Sequence, residues 1–336
     1  MQDRVLLAHG SGGQLSHDLI NKKIVSAFGN PILDKLDDSA VFELTGNERL
    51  AFTTDSYVVS PIFFAGGDIG KLAVCGTVND LSMSGAVPLY LSLAFIIEEG
   101  FLVTDLERIV NSICQVATEA RIKIVAGDTK VVNQGSADKI FVNTSGVGIV
   151  PPGINISGAN AKPGDKIIIS GTIGDHGMAI MSQREGLSFS TTLQSDCAPL
   201  NHLVAEMLQE SQCINSLRDP TRGGLATSLN EIAKQSEVGI EIQEQLIPAK
   251  DEVRGACELL GFDPFYVANE GKLIAVVAEE AAEGLVRKMK KQPYGERAVI
   301  IGQVCSQHPG RVVLKTPYGS SRILDMLSGE LLPRIC

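Results

Sequence analysis

Two periodicities alternate along this chain, and that alternation restricts the fold more than any other feature. Short β-branched runs read as strands at 40–44, 50–54, 89–97 and 139–150. Between them, longer segments at 15–28, 68–84 and 104–120 read as helices. In the last of these, Leu106, Ile109, Val110, Ile113, Val116 and Ala117 recur at helical spacing. Past residue 165 the pattern resumes. Strands are expected at 166–170, 239–242, 273–277, 299–304 and 311–315, and helices at 178–183, 200–211, 225–235, 250–260 and 281–291. The richest turn stretch lies between the two halves: Pro151-Pro152-Gly153, then Ser157-Gly158-Ala159-Asn160-Ala161-Lys162-Pro163-Gly164-Asp165. The pattern is that of an α/β (α+β) protein with two mixed domains, expected at 1–150 and 160–316, followed by a strand and mobile tail at 317–336.

Composition narrows the function classes. Hydrophobic content of 44% with 20% charged residues supports a real core, and the absence of Trp leaves small aliphatic residues to fill it. A net charge of −10 argues against a nucleic-acid or anionic-membrane surface. It leaves room for a nucleotide held by a few lysines, backbone N–H groups and metal ions. The seven cysteines form no CxxC and no regular framework, which reads as a reducing, cytoplasmic setting. No signal peptide is evident at Met1-Gln2-Asp3-Arg4, and no apolar run reaches the roughly 20 residues of a membrane helix.

Acidic residues recur at the ends of expected strands and helices beside Ser or Gly: Asp37-Asp38-Ser39, Asp55-Ser56, Asn79-Asp80 and Gly127-Asp128-Thr129-Lys130. Each alone reads as a turn or cap. Together they suggest carboxylates converging on one sheet edge, where hard oxygen ligands select Mg²⁺ and its nucleotide phosphates. Gly10, Gly12 and Gly13, in His9-Gly10-Ser11-Gly12-Gly13, run into an expected helix and can present N–H groups to phosphate. A flexible arm would read the same way. Asp219-Pro220-Thr221-Arg222-Gly223-Gly224 reads either as a ligand-approaching turn or as a loop-to-helix cap, and Glu270 before the strand at 273–277 reads either as a base or as half of an exposed pair with Lys272. Cys336, after Pro333-Arg334-Ile335, is either an incidental thiol on a frayed segment or a presented carrier. The nine residues 328–336, if extended, reach roughly 30 Å.

This ordered set resembles the superfamily of aminoimidazole ribonucleotide synthetase, selenophosphate synthetase and thiamine-monophosphate kinase. The matching pieces are the Gly-rich loop, Asp37-Asp38-Ser39-Ala40, Thr54-Asp55-Ser56, Asn79-Asp80-Leu81, Gly127-Asp128-Thr129 and Asp219-Pro220-Thr221-Arg222-Gly223-Gly224. With Pro333-Arg334-Ile335-Cys336 the chain is most similar to the HypE family of carbamoyl dehydratases, which serve nickel–iron hydrogenase maturation. The resemblance implies a homodimer, ATP and Mg²⁺ near the domain interface, a HypF-type carbamoyltransferase as one partner and a HypC–HypD-type iron-carrying complex as another. It also implies dehydration of a carbamoyl group on Cys336 to a thiocyanate, the source of cyanide for iron.

On that reading Asp38, Asp55, Asp80 and Asp128 are the expected Mg²⁺ ligands. Gly10, Gly12, Gly13, Asp37, Gly127 and Lys130 belong to the nucleotide side. Glu270 and His9 are candidate bases, and Asp219 and Arg222 order the second-domain side. Two alternatives remain: a superfamily synthetase or kinase with an incidental cysteine, and a non-catalytic thiol carrier. A selenophosphate synthetase is disfavoured, because no cysteine precedes Cys75.

Overall fold

The computed structural model describes residues 4–44, 48–186, 193–327 and 334–336. The expected helix at 15–28 is a broken helical run: α1 (Gln14–Leu19), a π-helical stretch (Ile20–Val25) and α2 (Ser26–Phe28). The first sheet is built from β1 (Ala40–Glu43), β2 (Arg49–Tyr57), β5 (Val87–Glu98), β6 (Lys123–Val132) and β7 (Ile140–Val150), in the order β1-β2-β7-β5-β6. A two-residue ribbon, β3 (Phe63–Phe64) with β4 (Gly67–Asp68), leads into α3 (Ile69–Met83).

Asp68 starts α3 by accepting hydrogen bonds from the N–H groups of Gly70 and Lys71, at 2.8 and 3.0 Å. Apolar and small residues run around the whole of α3, so it is buried on all sides between the first sheet and the second half of the chain. Gly76 makes one close approach possible, since a Cβ there would lie 2.1 Å from the Tyr57 hydroxyl. α4 (Val103–Glu119) buries Ile109, Ile113, Val116 and Ala117, the stripe that its spacing predicts.

The second sheet, in the order β14-β13-β10-β12-β8-β11-β9, contains β8 (Lys166–Ile169), β9 (Ile214–Arg218), β10 (Gly239–Gln243), β11 (Ile274–Val277), β12 (Val299–Cys305), β13 (Val312–Lys315) and β14 (Ser321–Ile323). It carries α5 (Asp175–Arg184), α6 (Asn201–Glu210), α7 (Gly224–Gln235), α8 (Asp251–Leu260) and α9 (Glu279–Met289). One core cluster joins the halves: Tyr57, Cys75 and Ile113 pack with Met178, Ile180, Val253 and Ile335.

Two strands depart from the sequence expectation. β6 contains Gly127-Asp128-Thr129-Lys130 and is exposed along nearly its whole length, so it lacks an alternating pattern. β9 places Asn215, Ser216 and Arg218 among buried positions, which hides its strand character. The tail also differs. Residues 328–333 lie outside the described residues, but Arg334, Ile335 and Cys336 are docked in the fold rather than free.

Candidate functional site

Carboxylates from five separate segments meet where the halves join. Asp38 precedes β1, Asp55 is near the end of β2, Asp80 is in the last turn of α3, Asp219 follows β9 and Glu270 precedes β11. α3 is the organising element. Its Asn79 donates to the carbonyls of Ala198 and Glu270, at 3.1 and 3.4 Å, and accepts from the Leu200 N–H at 2.8 Å. The next residue, Asp80, lies 2.9 Å from Thr53 Oγ1, whose single proton is shared between the Asp80 carboxyl and the Asp38 carbonyl.

The electrostatics are those of a negative cluster short of cations. Burial pushes Asp80 well above the usual carboxylate range, and Asp219, Asp55 and Asp38 add to the rise. Asp219 is raised in the same way, by burial and then by Asp38. Glu270, 3% exposed, is raised by burial, then by Cys197, Asp219, Asp196 and Asp55, and its Oε1 has no hydrogen-bond partner. Burial also pushes Asp38 up to about 6, against the pull of the Arg218 guanidinium.

Arg218 was not foreseen from the sequence. Its Nη1 lies 2.7 Å from Asp38 and 3.4 Å from Glu231, and its Nη2 donates to the Leu36 carbonyl at 2.9 Å. Its side chain is only 8% exposed, so removing it strands the largely buried Asp38 and leaves Glu231 with His17 alone, at 3.0 Å. Arg218→Met is expected to cost about 3–5 kcal/mol of folding stability, measured by urea unfolding.

Into this cluster comes the tail. The Val58 N–H donates to the main-chain oxygen of Cys336 at 3.2 Å, and the Ser60 N–H to that of Arg334 at 3.2 Å. Arg334 Nε returns a bond to the Val58 carbonyl at 2.9 Å, and its guanidinium pairs with Asp138. Ile335, 3% exposed, sits in the shared core. Ile335→Ala is expected to remove about 2 kcal/mol of docking free energy, read as faster alkylation of Cys336.

The Cys336 thiol is pushed up to about 12 by burial, with Glu270, Asp55 and Asp219 adding to the rise and Arg222 opposing it. Arg222 is itself raised, with Cys336 the largest cause, so this guanidinium faces the Cys336 end of the tail. The Gly-rich loop lies against the same arginine. The Gly10 carbonyl accepts from Arg222 Nη1 at 3.3 Å, and a Cβ at Gly12, where φ is +76°, would lie 2.7 Å from Arg222 Cβ. Gly13 caps α1.

Several expected site residues lie elsewhere. Asp37 accepts from Ser157 Oγ at 2.8 Å and the Gly158 N–H at 2.9 Å, and so ties the interdomain stretch rather than facing the carboxylate cluster. His9 turns its Nδ1 back to the Leu6 N–H at 2.9 Å. Asp128 is paired with Lys130 at 2.6 Å on the exposed edge strand, next to Gly127. It stands in the row Ser56–Asn143–Ala94–Asp128, whereas Asp55 stands in the neighbouring row with Thr144 and Leu93. Period-two alternation therefore puts Asp55 and Asp128 on opposite faces, three strands or roughly 14 Å apart. Among the described residues no three His, Cys, Asp or Glu side chains close around a metal position, so the four expected ligands do not assemble within one chain. The suggested Glu270–Lys272 pair is also absent. Glu270 is buried, and Lys272 pairs with Asp196 at 3.2 Å.

The AIR synthase related protein N-terminal and C-terminal domain models match residues 36–150 and 162–315. Carbamoyl dehydratase HypE of Azotobacter vinelandii is 52% identical over 99% of this chain and 97% of its own length. That of Escherichia coli K12 is 45% identical over 99% and 100%. The chain belongs to the HypE family, the carbamoyl dehydratases of hydrogenase maturation. Two solved relatives share the fold. A hydrogenase maturation protein HypE in complex with ATP has a TM-score of 0.84 at 51% identity, covering 99% of this chain and 100% of that one. A HypE–HypF complex has a TM-score of 0.88 at 53% identity, covering 92% and 99%. Among the described residues no helix is long and apolar enough to cross a membrane.

Proposed function

We propose that this chain dehydrates a carbamoyl group carried on its own Cys336 thiol to a thiocyanate at the expense of ATP. The observation that carries the reading is the docked tail, which sets Cys336 among Arg222, Glu270, Asp55 and Asp219. In balanced form, Cys336–S–C(=O)NH₂ and ATP give Cys336–S–C≡N, ADP and phosphate. Bound ATP with Mg²⁺ would supply a phosphoryl group that turns the carbamoyl oxygen into a good leaving group.

The residues present fit a nucleotide with a divalent cation. Asp80 and Asp219 repel each other in a buried setting with the more open Asp55 beside them, and an added cation relieves that repulsion. No three of the described carboxylates close around one point, so Asp55, Asp80 and Asp219 would hold the metal through bridging water. The Gly10–Gly13 loop, whose Gly12 N–H is held by Ser16 Oγ at 3.0 Å, and the Arg222 guanidinium would form the phosphate side. Glu270, buried and with one oxygen unpartnered, would take a proton from the carbamoyl nitrogen. The docked thiol holds its proton up to about 12, so loading requires an undocked tail or a partner that ionises the sulfur.

The open face of the first sheet exposes Phe52, Val87, Tyr90, Ile96 and Ile149, and β6 exposes Val125 and Val131. A patch of this kind marks an interface. We read it as a homodimer surface, on which Gly127, Asp128 and Lys130 would meet the second copy. The solved HypE–HypF relative supports a HypF-type partner for loading, and a HypC–HypD-type complex would receive the cyanide. ATP hydrolysis by the purified chain is the test. The reading expects turnover only with Cys336 carbamoylated. Equal turnover with a soluble amide or phosphate substrate would instead establish a small-molecule synthetase or kinase.

A further inference from the structure

We propose that His176 is a positioning residue for the dehydration, a latch that holds the tail's main chain so that Cys336 is registered against Glu270. The inference rests on the reading of Cys336 as the carrier. His176 lies in the first turn of α5, is 0% exposed and uses both ring nitrogens. Nε2 lies 2.8 Å from the Ile335 carbonyl oxygen and Nδ1 lies 2.8 Å from Ser195 Oγ. A carbonyl only accepts, so Nε2 carries the proton, and in the neutral ring Nδ1 takes the Ser195 hydroxyl proton. Phe64 packs edge-on at 5.5 Å between centroids and holds the ring's plane.

The partners of this histidine point to a role in catalysis. On one side is the tripeptide that carries the thiol. On the other is the turn that builds the base. Ser195 Oγ also accepts from the Cys197 N–H at 3.0 Å, Asp196 Oδ1 accepts from the Glu270 N–H at 3.2 Å, and the Ala198 N–H donates to the Glu270 carbonyl at 3.3 Å. One run of hydrogen bonds therefore leads from the Ile335 carbonyl through His176 and the 195–198 turn to the Glu270 backbone. Two helical turns along α5, Arg184 donates to the carbonyls of Arg334 and Ser60, which adds a second hold on the same main chain. The bonds that His176 and Arg184 make to the tail go to its backbone, so the latch fixes where the thiol sits without touching the group it carries.

Two measurements test the latch. In the first, iodoacetamide labelling is followed by peptide mass spectrometry, with the exposed Cys213 as internal reference. His176→Phe, which keeps a ring but neither hydrogen bond, is expected to speed Cys336 labelling about tenfold relative to Cys213. His176→Gln, whose amide N–H can still reach the carbonyl, is expected to restore most of the protection. In the second, the carbamoylated protein is mixed with ATP and conversion to thiocyanate is followed over one turnover. His176→Phe is expected to lower the first-order rate about tenfold with the ATP half-saturation unchanged, and His176→Gln to recover it. Should the phenylalanine variant not fold, Ser195→Ala carries the same test with the same direction. An unchanged labelling ratio in a folded variant overturns the proposal, as does a slowed rate accompanied by a shifted ATP half-saturation. The labelling arm uses no nucleotide and no carbamoyl group, so its result is independent of whether Cys336 is the carrier.

Discussion

Glu270→Gln is expected to slow conversion of carbamoyl-Cys336 to thiocyanate by about 100- to 10,000-fold, the span that a positioned base contributes. Carbamoylation and ATP binding are expected to stay intact. Glutamine keeps the side-chain volume and the Glu270 backbone bonds to Asp196, Ala198 and Asn79. Only the ability to take a proton is lost. The pH dependence follows from the same residue. Burial is the largest cause of its raised pKa, followed by Cys197 and Asp219. A base must be deprotonated, so the single-turnover rate is expected to climb as pH rises through a value well above the usual carboxylate range. The glutamine variant should show a flat profile. Quenched-flow measurement across pH checks both, and a full rate in Glu270→Gln with ATP bound would remove Glu270 as the base.

Much of the architecture was legible because burial followed periodicity. The α4 stripe stands where its spacing places it, and α3 fills the segment read as a helix at 68–84. The strands that escaped did so for two opposite reasons. β6 is an exposed edge strand in a single chain, so nothing selects an alternating pattern in it. β9 is a largely buried strand in which Asn215 and Arg218 find partners far away in sequence, Asp165 and Asp38, while the Ser216 hydroxyl is buried without one.

The site was legible in its acidic and glycine motifs and opaque in its cations. Asp55, Asp219 and Glu270 announce themselves beside Ser, Pro or Gly at element ends and Asp80 in Asn79-Asp80-Leu81, and the structure brings them together. Arg218 and His176 carry no local signal, since each acts across 140 or more residues and the burial that defines it appears only in the folded chain. Asp128 shows the converse limit. Its motif matches the others, but one step along a strand turns a side chain to the opposite face. A position read from sequence therefore says nothing of which side of the sheet it serves.

Cys336→Ala is expected to abolish the reaction outright, because no other thiol stands in its place. Cys75 and Cys257 are buried, Cys114 and Cys213 are exposed on the surface, Cys305 ends β12 with its thiol on the Gln307 carbonyl, and Cys197 is held in the turn under Glu270. The most direct test follows the Cys336 peptide by mass spectrometry after incubation with a HypF-type carbamoyltransferase, carbamoyl phosphate and ATP. A carbamoyl adduct is expected on Cys336, then loss of one water only when ATP is present, with both signals gone in Cys336→Ala. An adduct on another residue, or water loss that persists in Cys336→Ala, would contradict it.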